Sequence, residues 1–296
     1  MTTPTWLDHQ AYPFAPHELP LGAGRMHYVD EGNGDPILFV HGTPTWSFEY
    51  RHLIKALSPT HRCIAPDHLG FGLSERPREA PYTPEWHAAS FAEFVERLGL
   101  PPFTLVVHDF GGPIALPYAL DHPDRVGRVV IVNSWMWSFA DDPDMRRKAT
   151  IAGSALSRFL YRWANLSLRV IMPSAYGDRR KLTPEIHRQY LERFPDRRSR
   201  GTVLFALARS LLGSSAHYEA LWARRSRLGD RPALVVWGMR DSAFRPHQLA
   251  RWREALPHAR VVEIAEAGHW PHEEAPDEVT AALRSFFSDS GGRQKP

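Results

Sequence analysis

The chain reads as an α/β protein: a mostly parallel central sheet flanked by helices, with a helical cap inserted into it. Three observations carry that reading. Short apolar, β-branched runs alternate with helix-length segments, the pattern of parallel strands joined by right-handed crossovers. From Ser134 to Leu228 the alternation stops and only helix-like segments follow one another. It then resumes for two more strands. At 296 residues and 33.7 kDa the chain accommodates one domain of about 200 residues and an insertion. The core is therefore assigned to residues 1–133 and 229–296, and the cap to 134–228.

Taken in order, Met1 to Leu21 is rich in Pro and His and is expected to wrap the surface before a first pair of strands ending in Met26–Glu31. Pro36–Val40 is the next strand, followed by a helix over Tyr50–Leu57, a strand over Arg62–Ala65 and a tight glycine loop from Pro66 to Ser74. A helix over Pro84–Leu98 leads to the strand Phe103–Val107 and the helix Gly111–Leu120. Val126–Asn133 is a further buried strand. In the cap, Leu156–Val170, Pro184–Phe194 and Thr202–Leu212 read as helices, punctuated by Pro173, Pro184 and Pro195. Pro232–Trp237 resumes the sheet, a helix runs through Leu256, Arg260–Ile264 is the last strand and Pro276–Phe287 the last helix. Ser288–Pro296 reads as a disordered tail.

Composition narrows the function classes. No apolar run has the length of a membrane span, and Met1–Phe14 lacks the basic start and apolar stretch of a signal peptide. A cytoplasmic protein is expected, with no membrane partner. The formal charge is only +3, so nucleic acid is not expected either. The basic clusters Arg146–Lys148, Arg179–Lys181 and Arg197–Arg200 read as solvated helix faces. Cys63, the single cysteine, precludes an internal disulfide and a cysteine-based metal site, and its apolar strand assigns it to packing.

Chemistry concentrates in Leu105–Pro113, L-V-V-H-D-F-G-G-P. A carboxylate, Asp109, stands where an apolar strand meets a glycine pair at a helix start, the strand-turn-helix setting of a nucleophile elbow. Gly111 matches the small residue expected two positions on; Val107 departs from the one expected two positions before. The competing reading is that Asp109 caps the following helix. Asp241 and His269 also end strands or the turns just after them, and the chain order nucleophile, acid, histidine is that of α/β-hydrolases. His272 is the competing base; Asp141, Asp142 and Asp144 are the competing acids.

An Asp nucleophile decides the reaction class. A serine displacing a leaving group from saturated carbon makes an ether that histidine cannot hydrolyse, whereas a carboxylate makes an ester that it can. The expectation is an alkyl-enzyme ester on Asp109, then water activated by neutral His269 with Asp241 fixing the imidazole. The backbone N–H groups of Thr43 and Phe110 are expected to hold the oxyanion. The expected partners are water and a small apolar substrate, and neither metal nor organic cofactor is required.

H-G-T-P-T-W-S-F-E-Y-R from His41, D-H-L-G-F-G-L-S-E-R-P from Asp67, V-V-H-D-F-G-G-P from Val106, W-G-M-R-D from Trp237 and A-G-H-W from Ala267 resemble the haloalkane dehalogenases. The resemblance covers nearly the whole chain, including Leu182–Glu185 and Phe194-Pro195 in the cap. It implies the α/β-hydrolase fold and the Asp109–His269–Asp241 triad. That family grips the departing halide with a tryptophan directly after the nucleophile, plus an asparagine after the H-G pair or a second tryptophan in the cap. Here those first two positions hold Phe110 and Thr43. Trp135, Trp137 and Trp163 are the candidates to restore an indole N–H at the leaving-group pocket, with help from the Thr43 hydroxyl; Trp46 and Trp270 are assigned to packing. With a depleted halide site, bromide is favoured over chloride. Epoxide hydrolases, which use a pair of cap tyrosines, bring Tyr161, Tyr176, Tyr190 and Tyr218 into view. The β-lactone decarboxylases of olefin synthesis are also similar, including at Tyr12–His17. A non-catalytic ligand-binding homologue is the reading from another class.

Overall fold

A computed structural model describes residues 4–290. Its eight strands are β1 (His17–Leu21), β2 (Gly24–Glu31), β3 (Pro36–Val40), β4 (Arg62–Pro66), β5 (Phe103–Asp109), β6 (Val126–Ser134), β7 (Ala233–Gly238) and β8 (Arg260–Ile264), in one sheet ordered β1-β2-β4-β3-β5-β6-β7-β8. β1 and β2 pair antiparallel, as do β2 and β4. The remaining pairs are parallel. Every residue of β3, β5 and β7 is buried, which is why these strands read as continuous apolar runs and not as alternations. From β4 the chain crosses back over β3 to reach β5, so the order reverses between β3 and β5. Ligands of open α/β sheets bind at the carboxyl ends of the strands at such a reversal.

The core helices follow their local signals. After α1 (Arg51–Leu57), α2 (Pro84–Leu98) begins with the Thr83 hydroxyl accepting the Trp86 N–H and Pro84 in its first turn, and ends at Gly99 with φ +61°. α3 (Gly111–Asp121) carries Pro117 inside it. Proline has no N–H for the carbonyl four residues back, and the Pro113 carbonyl instead accepts from His217 Nε2, 3.1 Å away.

Between β6 and β7 there are only helices and turns. α4 (Pro143–Ala152) is capped by Asp142, and α5 (Ala155–Ala164) by Ser154. The helix expected over Leu156–Val170 is broken: Asn165 adopts φ +52° and a π-turn follows over Ser167–Ile171. α4 and the helix Ser215–Ala223 lie in stretches that had no helix assigned. The helix expected from Tyr50 starts as a 3₁₀ turn over Ser47–Tyr50. The closing helix runs Pro276–Ser290, so the expected tail is helical at its start; residues 291–296 lie outside the described residues. Among the described residues no helix is long and apolar enough to cross a membrane.

The amino-terminal segment does more than wrap the surface. Tyr12 is buried with its hydroxyl 2.6 Å from Ser47 Oγ, while Gln189 of the helical segment donates to the Trp6 carbonyl and accepts from the Asp8 N–H. Residues before the first strand thus tie the inserted helices to the sheet.

Candidate active site

Asp109 ends β5 with φ +48°. A non-glycine residue in that region stores roughly 1–3 kcal/mol of strain, and here it swings the side chain out of the strand toward the loop after β3. Two glycines make room. A Cβ on Gly42 would lie 2.3 Å from Asp109 Oδ1, and one on Gly111 would lie 2.2 Å from the Val40 carbonyl oxygen. The Thr43 N–H donates to Asp109 Oδ1 at 2.8 Å, and Ser134 Oγ donates to the Asp109 backbone carbonyl at 2.6 Å. The carboxylate does not cap α3: Phe110 is the residue at the N-cap and makes no side-chain cap bond.

His269 Nε2 lies 3.4 Å from Asp109 Oδ2, and its Nδ1 lies 2.7 Å from Asp241 Oδ2. All three residues are buried. Burial alone would push the imidazole down; the charge and hydrogen bonds of Asp241, with those of Asp109, outweigh it and raise His269 to about 10. Burial pushes Asp241 up, and His269 followed by Asn133 overcomes that, leaving it below the usual carboxylate range. The competing acids are engaged elsewhere or exposed. Asp142 caps α4 and meets His247, Asp144 pairs with Lys148, and Asp141 faces solvent. The competing base, His272, stacks on Tyr50 at 5.0 Å between ring centres.

Four side chains absent from the sequence reading support this arrangement. Asn133 donates to Asp241 Oδ2 at 2.8 Å while its Oδ1 accepts the Gly238 N–H, so one amide at the end of β6 orients the acid at the end of β7. His108 is wedged behind the triad: Nε2 donates to the His269 carbonyl at 2.8 Å and Nδ1 faces Glu49 Oε1 at 3.2 Å. Both ring nitrogens of His108 thus face acceptors, a carboxylate on one side and a carbonyl on the other. Burial opposes the Glu49 charge, but His108 and then His272 hold it well below the carboxylate range. Glu274 accepts the N–H groups of Gly268, Gly177 and Asp178, and the His269 N–H donates to the Ala175 carbonyl. The turn bearing His269 is therefore clamped to residues 175–178 of the inserted segment. The H-D dipeptide at His108-Asp109 was the one sequence signal for any of these.

Glu49, His108 and His272 bring ligand-type atoms within 4.8 Å of one another. Because the two His108 nitrogens are already committed to Glu49 and the His269 carbonyl, the trio is described better as a buried histidine–carboxylate contact with a stacked neighbour than as a metal centre.

The three candidate tryptophans have different fates. Trp135 is buried against Phe110, ring centres 4.7 Å apart, in an aromatic wall with Phe139, Tyr218 and Phe244. Phe244 in turn packs on His269. Trp135 Nε1 has no hydrogen-bond partner among the described residues, and neither has Thr43 Oγ1. Trp137 sits in a separate cluster with Trp222, Trp252 and Arg251. Trp163 is the clear departure: it is 49% exposed, stacked on Phe159 and covered by Arg197. It follows buried Tyr161 by two residues, about 200° around a helix, so it points away from the site. Trp46 and Trp270 are buried among aromatic rings, as packing residues. Tyr176 and Tyr190 both donate to Glu273, and Tyr218 donates to the Ser210 carbonyl.

Comparison with known proteins agrees with this fold. Residues 35–276 match the family described as alpha/beta hydrolase fold. The chain is 38% identical to a protein of Mycobacterium tuberculosis named haloalkane dehalogenase 2, covering 95% of this chain and 97% of that one. It is 33% identical to a cis-3-alkyl-4-alkyloxetan-2-one decarboxylase of Shewanella oneidensis, covering 94% and 90%. Among solved structures, a variant haloalkane dehalogenase from Agrobacterium tumefaciens superposes with a TM-score of 0.85 at 25% identity, over 95% of this chain and all of that one. A strained residue at the end of β5, an acid after β7, a histidine after β8, and a family match across most of the sequence together place this chain in the α/β-hydrolase fold family.

Proposed function

We propose that the protein is a hydrolase that uses Asp109 as nucleophile toward saturated carbon, releasing halide from small haloalkanes and forming the alcohol. In this reading residues 134–228 serve as a cap over the core of 1–133 and 229–296. The observation that carries it is the line of contacts from Asp109 through His269 to Asp241, with a carboxylate in the nucleophile's place.

Asp109 Oδ1 is held by Thr43, so Oδ2 is the attacking oxygen. Its lone pair forms the carbon–oxygen bond as the carbon–halogen pair leaves with the halide. Trp135 Nε1 and Thr43 Oγ1, buried without partners, are two donors for the departing anion in place of the indole missing at Phe110; Trp270 Nε1, beside His269, is a third buried N–H without a partner. Esterification removes the Asp109 charge, and with it part of what holds the His269 proton. The imidazole then reaches the neutral form and takes a proton from water, whose oxygen attacks the Asp109 carboxyl carbon. The oxyanion on Oδ1 is met by the Thr43 N–H, and Phe110 offers a second backbone donor, each worth roughly 3 kcal/mol. Collapse expels the alkoxide, which recovers the proton from His269. No step calls on a metal or organic cofactor.

An epoxide-opening reading needs cap tyrosines free to donate. Tyr176, Tyr190 and Tyr218 are already spent on Glu273 and Ser210; of the four candidates that leaves Tyr161, buried and within reach of the Asp109 charge, and one tyrosine is not the pair that chemistry uses, which favours the halide reading. The test is to replace His269 with Phe, incubate with bromoalkanes, epoxides and β-lactones separately, and weigh the peptide bearing Asp109. An alkyl adduct from the bromoalkanes is expected. An adduct only from an epoxide or lactone reassigns the substrate, and no adduct from any of them, with no turnover by the unaltered protein, leaves a ligand-binding homologue.

A further inference from the structure

Six large apolar side chains are exposed among the described residues, Ile151, Leu156, Phe159, Trp163, Val170 and Ile171, and all fall within one stretch of the helical insertion. On α5, Leu156, Phe159 and Trp163 are spaced three and four residues apart and share a face, opposite the buried Ser157 and Tyr161. They are 68%, 57% and 49% exposed. Elsewhere among the described residues the large apolar groups are buried or partly buried, so this concentration marks a contact surface.

The charge around it says what kind of surface it meets. From Met145 to Gly177 the chain has no Asp or Glu, but has Arg146, Arg147, Lys148, Arg158, Arg162 and Arg169. None of Arg158, Arg162 and Arg169 makes a salt bridge among the described residues, and Arg197, equally without one, lies 4.0 Å over the Trp163 ring. A helix with Leu, Phe and Trp outward and arginines at its flanks matches the headgroup boundary of a bilayer. There the rings enter the acyl edge and the guanidiniums reach back to anionic headgroups. A second copy of the chain fits less well, because a two-fold contact would set these unpaired guanidiniums against their own equivalents.

We propose that the protein docks peripherally on anionic membrane surfaces through the exposed face of α5 and the following turn at Val170-Ile171. The absence of a membrane-spanning run, from which no membrane partner was expected, does not bear on a contact of this kind. The proposal is independent of the reaction catalysed.

The test is co-sedimentation of the full chain with vesicles of phosphatidylcholine alone and of phosphatidylcholine with about one third phosphatidylglycerol, at low and raised salt, alongside gel filtration. The expected result is pelleting with the anionic vesicles at least about tenfold above the neutral ones, weakened by salt. The double variant F159S/W163S should lose most of that binding while keeping the circular dichroism spectrum of the parent, since both side chains are exposed. R158Q/R162Q/R169Q should lose the preference for phosphatidylglycerol. Failure of the unaltered protein to pellet with either vesicle overturns the proposal. So does a dimer in gel filtration that F159S/W163S converts to monomer, which would mean that a second copy covers the face.

Discussion

The carboxyl edge of the sheet and the helical segment above it both contribute to the site, by different means. At the sheet edge, Thr43, Asp109, Asn133 and Asp241 sit at or just beyond the ends of β3, β5, β6 and β7, strands whose positions are set by ladders of parallel pairing, with a register shift in the β5–β6 ladder at His108/Asp109. In the inserted segment, Ala175, Gly177 and Asp178 reach the His269 turn through isolated hydrogen bonds from a stretch with a π-turn on one side and a 3₁₀ turn on the other. The sheet edge thus carries Thr43, Asp109 and Asp241, while the insertion contributes Trp135 and the aromatic wall around it. Substitutions at the edge should therefore abolish chemistry, and substitutions in the walls should tune it.

The largest effect is expected at Asp241. Asp241→Asn keeps the shape but loses the charge that stabilises the His269 imidazolium, and turnover should fall by about 10⁴-fold while the ester on Asp109 still forms. If rapid-quench mass analysis shows ester formation slowed as much as turnover, the separation between the two steps is wrong. Glu49→Gln comes next. It leaves His108 without its carboxylate in a fully buried site, and should cost about 3–5 kcal/mol of stability in urea unfolding; a loss under about 1 kcal/mol would show that the pair is not ionised.

Trp135→Phe keeps the ring and removes the indole N–H. Ester formation should slow by about 10–100-fold, of the order of one lost charge-assisted hydrogen bond, with chloroalkanes hurt more than bromoalkanes. Equal rates for variant and parent would put the donor elsewhere. Stability should also depend on pH. His269 is raised to about 10 in the folded protein from an ordinary 6.5, so the folded state binds its proton more tightly. That contribution to stability is complete below pH 6.5 and is lost as the pH rises to 10, at up to about 1.4 kcal/mol per unit. Unfolding curves across that range should show the decline for the parent and a flatter profile for His269→Gln.

The same contrast governs how much could be read without coordinates. Seven of the strands were legible because each is a short run with a turn residue at its end, while β1, polar and partly exposed, lies in the stretch read as surface wrap; Asp109, Asp241 and His269 were legible as candidates because they follow such runs. In the insertion, α4 and the helix at Ser215–Ala223 were not assigned and the Leu156–Val170 helix was drawn too long: Asn165 is a residue type that favours the αL stop, but one such residue inside an apolar periodic run does not by itself fix where the helix ends. Trp163 looked like a pocket residue because its number placed it in the insertion; only the phase of α5 shows that Tyr161 takes the inner face.

The sequence by itself determined where most strands end, the strand-turn-helix at Asp109 and the placement of Asp109, Asp241 and His269 after successive strands, because periodicity and turn chemistry act over a few neighbouring residues. The tertiary structure alone decided that Asp241 and not Asp142 meets the histidine, that Glu49 and His108 brace it from behind, that Trp135 rather than Trp163 faces Phe110, and that Glu273 consumes two tyrosines. Each of those outcomes depends on a contact between residues far apart in the chain, where burial and the pairing of every polar atom settle the partner, and a linear pattern carries no record of that settlement.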